Sequence, residues 1–196
     1  MVSNAGTNIS EKLGTTNILL TWIIGVFVAT PLLCFPEVAE MVFGSDYATH
    51  NFRITFSLVV LCTCIRTFKA GLARVLAANS LLWWGFFSNT FWAAILIVST
   101  LFLVRWGAPG LAAALAIAYV LNTVVLIPLY YSRNLVPRGT LFSFEAGFIW
   151  LILGGLVYMN IVDTILVFRI VIFIPCLVLL FAAFYRILKQ SVTKGI

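Results

Sequence analysis

Between Leu19 and Phe35 the chain reads LLTWIIGVFVATPLLCF without one charged side chain, and no other feature constrains the fold as strongly. In hydrocarbon every backbone N–H and C=O must be satisfied within the protein, which leaves α-helices and closed β-barrels as spanning structures. Barrel strands alternate in polarity, and this run does not. At about 1.5 Å per residue, a helix of roughly this length is what crossing a ~30 Å hydrocarbon layer requires. The rest of the 196 residues repeats the pattern. Hydrophobic residues make up 63% and charged residues 9%, with a mean hydropathy of +1.12, outside the range of soluble domains. The charges fall mainly between the apolar runs, as in spanning rather than interfacial helices. The fold class is all-α: a polytopic membrane helix bundle.

Six spans can be read, numbered here in chain order: 18–35, 52–73, 81–104, 108–131, 146–161 and 164–187. They form one bundle over 18–187, between an N-terminal segment, 1–17, and a tail, 188–196. The opening MVSNAGTNISEKLG is polar and lacks the basic-then-apolar order and cleavage site of a signal peptide, so the first span reads as a retained helix. Nothing is left over for a soluble domain. Of the twelve Lys and Arg residues, alternate sides receive Lys12, Arg66, Lys69, Arg74, Arg133, Arg138, Arg186, Lys189 and Lys194 against Arg53, Arg105 and Arg169. The positive-inside rule then puts both termini in the cytoplasm of a cell with this chain in its inner membrane. The net charge of +6 reports topology and not a nucleic-acid partner.

Little in the chain carries reaction chemistry. Cys34, Cys62, Cys64 and Cys176 lie inside or at the edge of spans; Cys62 and Cys64 point about 200° apart on a helix and share no metal, so all four read as small packing residues. No ligand-spaced Cys/His set is present, and no metal or cofactor is expected. The single histidine, His50, lies in VFGSDYATHNFR beside Asp46, downstream of Glu37 and Glu40. Pro36 suits the first turn of a short outer helix, PEVAEMVF, with Glu37 at its favourable N-terminal end. Gly44 is a natural stop, and Ser45 or Asp46 a cap for span two. With no basic or nucleophilic partner in register, the cluster reads as a turn. No catalytic residues are assigned, and the chain is not expected to be an enzyme.

The spans say more about packing. In span four Gly110, Ala114, Ala118 and Asn122 recur every fourth residue, a small-residue stripe for a close helix contact ending in an amide able to bond across it. Trp83, Trp84, Trp106, Tyr130 and Tyr131 lie near span ends, where amphipathic rings prefer the headgroup level. Pro175 interrupts span six and removes one backbone hydrogen bond. The most informative polar stretch is CIRTFKAGLARVLAAN. Arg66 and Lys69 are three apart, and Arg74 falls about 80° round from Arg66, so all three can point into one sector. Orientation alone explains basic residues at a cytoplasmic span end. Arg66 lies deepest, however, and a buried guanidinium there needs a cavity or a partner. The sharper reading is a cationic lining for a polar lipid headgroup, with Asn79 and Asn89 adding hydrogen bonds to sugar hydroxyls; Asn79 also suits a helix cap.

The order of these pieces is recognisable. The FGSDY turn after a Pro-ended span, the GLARVLAANS break and the GAPGLAAALAIAY helix entry together resemble the C-terminal part of polysaccharide-biosynthesis flippases. These are the lipid-linked oligosaccharide and O-antigen translocases of the multidrug/oligosaccharidyl-lipid/polysaccharide exporter superfamily, linked to lipopolysaccharide assembly. The resemblance covers roughly residues 10–131. It implies two lobes of about twelve to fourteen spans in all around a central, often cationic cavity, moving a lipid-linked sugar by alternating access. Spans one to four then correspond to the ninth to twelfth, and five and six to the last two, so the first lobe has no counterpart here.

The expectation that follows is a transporter half acting on a polyprenyl-pyrophosphate-type oligosaccharide within membrane lipid. Arg66, Lys69, Arg74, Asn79 and Asn89 are its substrate contacts, and a separate N-terminal half or a second copy completes the assembly. The alternatives are a structural or non-functional truncated fragment of such a flippase, and an integral-membrane glycosyl- or acyltransferase. The last is disfavoured by the lack of an acidic or histidine-containing site at the cytoplasmic boundary.

Overall fold

A computed structural model describes the backbone of residues 3–78, 80–132 and 143–193, and the side chains of 17–44, 46–77, 80–128 and 143–190. Every element in it is helical: α1 Ser3–Cys34, α2 Glu37–Phe43, α3 His50–Ala78, α4 Leu82–Leu103, α5 Gly107–Ser132, α6 Phe144–Ile161 and α7 Leu166–Thr193. The six long helices fall on the six expected spans. Among the described residues five segments are long and apolar enough to cross a membrane, Asn17–Cys34, His50–Ala77, Leu82–Pro128, Phe144–Ile161 and Leu166–Gln190. The protein is therefore a multi-pass membrane protein. The third segment holds two helices, because a 3₁₀ turn at Val104–Trp106 and Gly107, at φ 66°, fold α5 back along α4.

Local chemistry sets the helix ends. Pro36 precedes α2 and Gly44 closes it at φ 105°, a backbone conformation that favours glycine. The expected cap for α3 moves: Ser45–Tyr47 form a 3₁₀ turn, and Thr49 Oγ1 accepts the N–H of Phe52 at 3.2 Å. Thr49 rather than Ser45 or Asp46 thus caps α3, because the extra turn uses up those residues before the helix begins. Ser143 caps α6 by accepting from Ala146 N at 3.2 Å, with Glu145 in the first turn, where a negative charge suits the helix dipole.

α3 is the hub, packing on α1 and α6 on one side and on α5 on the other, while α7 closes the bundle against α6 and α1. Small residues permit the close crossings. A Cβ on Gly71 would stand 2.8 Å from the Ile18 backbone, and one on Gly25 would strike Thr67, so α1 and α3 meet nearly backbone to backbone. Gly110 faces the Leu103 carbonyl in the same way inside the α4–α5 hairpin. Ala114, Ala118 and Asn122 follow it, all fully buried, so the small stripe is the helix contact that its spacing indicated.

At the centre of α1, α3, α6 and α7 the ring of Trp22 meets Phe68 at 5.6 Å, Trp150 at 6.0 Å and Phe184 at 5.1 Å. The four cysteines are buried and unpaired. Trp83 and Trp106 are exposed near helix ends, the latter under the Arg105 guanidinium at 4.6 Å. Tyr130 and Tyr131 lie outside the described side chains.

Candidate functional site

Two polar assemblies stand out, one at a pole of the bundle and one along α3. At the first pole the end of α1, α2, the start of α3, the α6–α7 connection and the start of α7 converge. Arg53 Nε donates to Glu40 at 2.6 Å, and Arg53 also reaches Asp163 at 3.2 Å and Glu37 at 3.9 Å. Arg169, only 2% exposed, donates to Glu37 at 2.8 Å and to the Thr164 carbonyl at 2.8 Å, with Asp163 at 3.8 Å. Glu37 and Glu40 therefore do have basic partners, contrary to their reading as carboxylates of an isolated turn. The partners come from α3 and α7, and Arg169 lies far along the chain, where no local register can reveal it.

A signal was nevertheless present. Arg53 and Arg169 are two of the three basic residues assigned to this side, and carboxylates and guanidiniums at neighbouring span ends favour pairing. Asp46 and His50 take no part: both are exposed. Among the described residues no group of His, Cys, Asp and Glu is arranged to hold a metal.

The second assembly distributes the basic residues of α3 over three environments instead of one. Arg74 donates to Asn17 Oδ1 at 2.8 Å, toward α1. Lys69 is half-buried on the α5 side, where its Nζ donates to Asn122 Oδ1. Arg66 lies exposed between them, so the burial expected of it belongs to Lys69 instead. The rotation of α3 decides this: Gly71 must face α1, which turns Lys69 toward α5 and leaves Arg66 on the open sector.

That sector is unusual for a membrane helix. Val59, Thr63, Arg66, Ala70, Ala73 and Ala77 form one exposed stripe along α3, with Arg74 beside it. α7 exposes a stripe of the same spacing made of Val167, Val171, Ile174, Val178, Phe181, Tyr185 and Leu188. Large apolar side chains suit lipid, whereas small and basic ones suit a polar cavity or a second protein surface. The α3 stripe is flanked by α1 and α5, which pack on α3 from two sides.

Asn89 is exposed on α4, and its neighbour Ser88 is the residue that turns inward, onto Asn122. Asn79 lies outside the described residues, as do the side chains of Lys12, Arg133, Arg138 and Lys194. Asn122 and Ser88 were missed as site residues. The small-residue stripe had already marked Asn122 as able to bond across a helix contact, but its partner had no signature in the sequence. Comparison with family profiles, with curated proteins and with solved structures returns no match for this chain.

Proposed function

We propose that this protein is a membrane transporter component that binds an anionic lipid headgroup along α3 and contributes to moving a lipid-linked oligosaccharide across the cytoplasmic membrane by alternating access. The observation that carries the reading is the exposed stripe of small and basic residues on α3. A cation facing hydrocarbon is costly, and one facing a headgroup path is not. Lys69 and Arg66 stand about one helical turn apart beside this stripe, close enough to share one pyrophosphate, and flexible cationic side chains bind such a group without caging it.

The two poles differ in a way that suits this activity. Glu37, Glu40, Arg53, Asp163 and Arg169 bind the first pole with charged contacts. Near the other end the described contacts include Arg74 with Asn17 and Gln190 with Glu145 at 3.5 Å. Placing the first pole outside, as the charge bias requires, leaves the basic stripe nearest the cytoplasm, where a lipid-linked precursor is made. The flippase resemblance points the same way. A second lobe, either a separate half or a second copy, would complete a cavity against the α3 stripe.

The test is reconstitution of the full chain in liposomes with a fluorescent polyprenyl-pyrophosphate oligosaccharide, with translocation read by quenching from outside. The assay is run on the chain alone and with any co-purifying partner. Lys69→Gln should lower the rate about tenfold or more and Arg66→Gln several-fold, while Arg74→Gln should have a smaller effect because its guanidinium is turned away toward Asn17 on α1. Equal rates in all four proteins would reduce these residues to orientation signals and overturn the reading.

A further inference from the structure

The amide of Asn122 is held in one orientation by partners that differ at its two ends. Its Nδ2 donates to the Ser88 carbonyl at 2.8 Å, while Oδ1 accepts from Lys69 Nζ and from Ser88 Oγ at 3.2 Å. Flipping the amide would set an N–H donor against an ammonium and a carbonyl against a carbonyl. Asn122 is 0% exposed and Ser88 is buried, so water does not supply alternative partners. Three helices thus meet at one oriented dipole: Lys69 on α3, Ser88 on α4 and Asn122 on α5.

The choice of a neutral residue at position 122 has a consequence for Lys69. An ammonium carries three N–H donors, and Asn122 takes one. Among the described residues Lys69 forms no ion pair, whereas Arg53 and Arg169 are both matched to carboxylates. A lysine serving only to join helices in hydrocarbon would gain most from a carboxylate, because an uncompensated charge there is expensive. An amide fixes the position of the ammonium and leaves its charge uncancelled.

We infer that Asn122, oriented by Ser88, is a positioning residue that presents the charged Lys69 ammonium, with donors to spare, to the phosphate of an anionic ligand. The inference rests on the headgroup reading above and specifies how the cation is kept available to it. The decisive contrast is between Asn122→Asp, which neutralises Lys69 in place, and Asn122→Ala, which releases it. Binding is measured by calorimetry on the full chain in a neutral detergent, with farnesyl pyrophosphate and inorganic pyrophosphate as parallel probes.

Asn122→Asp should weaken binding about tenfold or more, a change of ~1.4 kcal/mol or greater. Asn122→Ala should weaken it a few-fold, and Lys69→Gln at least as much as Asn122→Asp. The same pattern with either probe supports the inference; tighter binding of the prenyl probe assigns the phosphate to a lipid, and equal binding assigns it to a soluble anion. Parent-like affinity in Asn122→Asp with loss in Lys69→Gln would overturn the positioning role and leave the headgroup reading standing. Parent-like affinity in both Lys69→Gln and Arg66→Gln would overturn the headgroup reading itself.

A second measurement needs no ligand and covers a variant that binds poorly because it folds poorly. Acylation of Lys69 by a membrane-permeant amine reagent, read by peptide mass spectrometry, should be faster than in the parent in Asn122→Ala and slower in Asn122→Asp. A packing role would shift both substitutions in the same direction, and that result would overturn the inference.

Discussion

What a substitution costs at the ion-paired pole depends on the charge it leaves behind. The Arg169 side chain is 2% exposed but faces Glu37 at 28%, whereas Arg53 is 24% exposed and faces the buried Glu40 at 10%. Removing one partner of a buried pair leaves the other charge uncompensated, at about 3–5 kcal/mol, whereas a charge that water can reach costs ~1 kcal/mol or less. Arg53→Gln, which strands the Glu40 carboxylate, should therefore destabilise the protein by a few kcal/mol in denaturation from detergent micelles, and Arg169→Met, which leaves a part-exposed Glu37 that Arg53 still approaches at 3.9 Å, by less. Arg169→Lys should recover only part of the loss, since an ammonium cannot bridge Glu37 and the Thr164 carbonyl as a guanidinium fork does. Equal midpoints for Arg169→Met and Arg53→Gln would show that the pole is solvated and not an interior pair. The charge division put these residues on one side, but the choice of Arg169 as the partner of Glu37 was not legible, because they lie on α2 and α7 and nothing local to either residue refers to the other.

At the scale of elements, glycine separates contact faces from open ones. Replacing an exposed helical glycine with alanine ordinarily stabilises a helix by about 0.5–1 kcal/mol. The open space around Gly154 on α6 predicts that sign for Gly154→Ala. At Gly110 the added methyl meets the Leu103 carbonyl, a backbone atom that cannot swing away. Gly110→Ala should therefore cost about 1–3 kcal/mol, as overpacking does, and should loosen the α4–α5 hairpin. Thermal unfolding of the two variants in the same detergent checks the opposite signs; stabilisation by both would mean that the hairpin is not closely packed at its turn. The stripe beginning at Gly110 was legible because small residues at every fourth position define a helix face whatever it touches. The partner of Asn122 was not legible, because the hairpin brings α4 to it.

For the whole molecule, the division of basic residues predicts one topology. Single cysteines at Asp46, Leu135 and Val192 can be labelled with an impermeant maleimide in intact cells, since all four native cysteines are buried. Asp46→Cys should react from outside, and Leu135→Cys and Val192→Cys only after permeabilisation. Reaction of Leu135→Cys in intact cells would overturn the six-span arrangement. The same topology would put the ion-paired pole outside and leave the basic stripe of α3 approached from the cytoplasm.

The sequence by itself determined the all-α class, the six long helices, the short helix between Pro36 and Gly44 and the small-residue face of α5. Each follows from properties carried by a single segment: apolar length, helical spacing and the backbone preferences of proline and glycine. It also identified Arg66, Lys69 and Arg74 as the polar residues of interest, since charges inside an apolar run are conspicuous without any neighbour. What only the tertiary structure decided is how α3 is rotated about its own axis. Depth along a helix can be counted from its ends, but which side is covered depends on the helices beside it. Gly25 and Gly71 seat α3 on α1, and that contact turns Lys69 to Asn122, Arg74 to Asn17 and Arg66 to the exposed stripe. Burial and charge pairing thus became properties of the assembled bundle, set by contacts between residues that no local pattern connects.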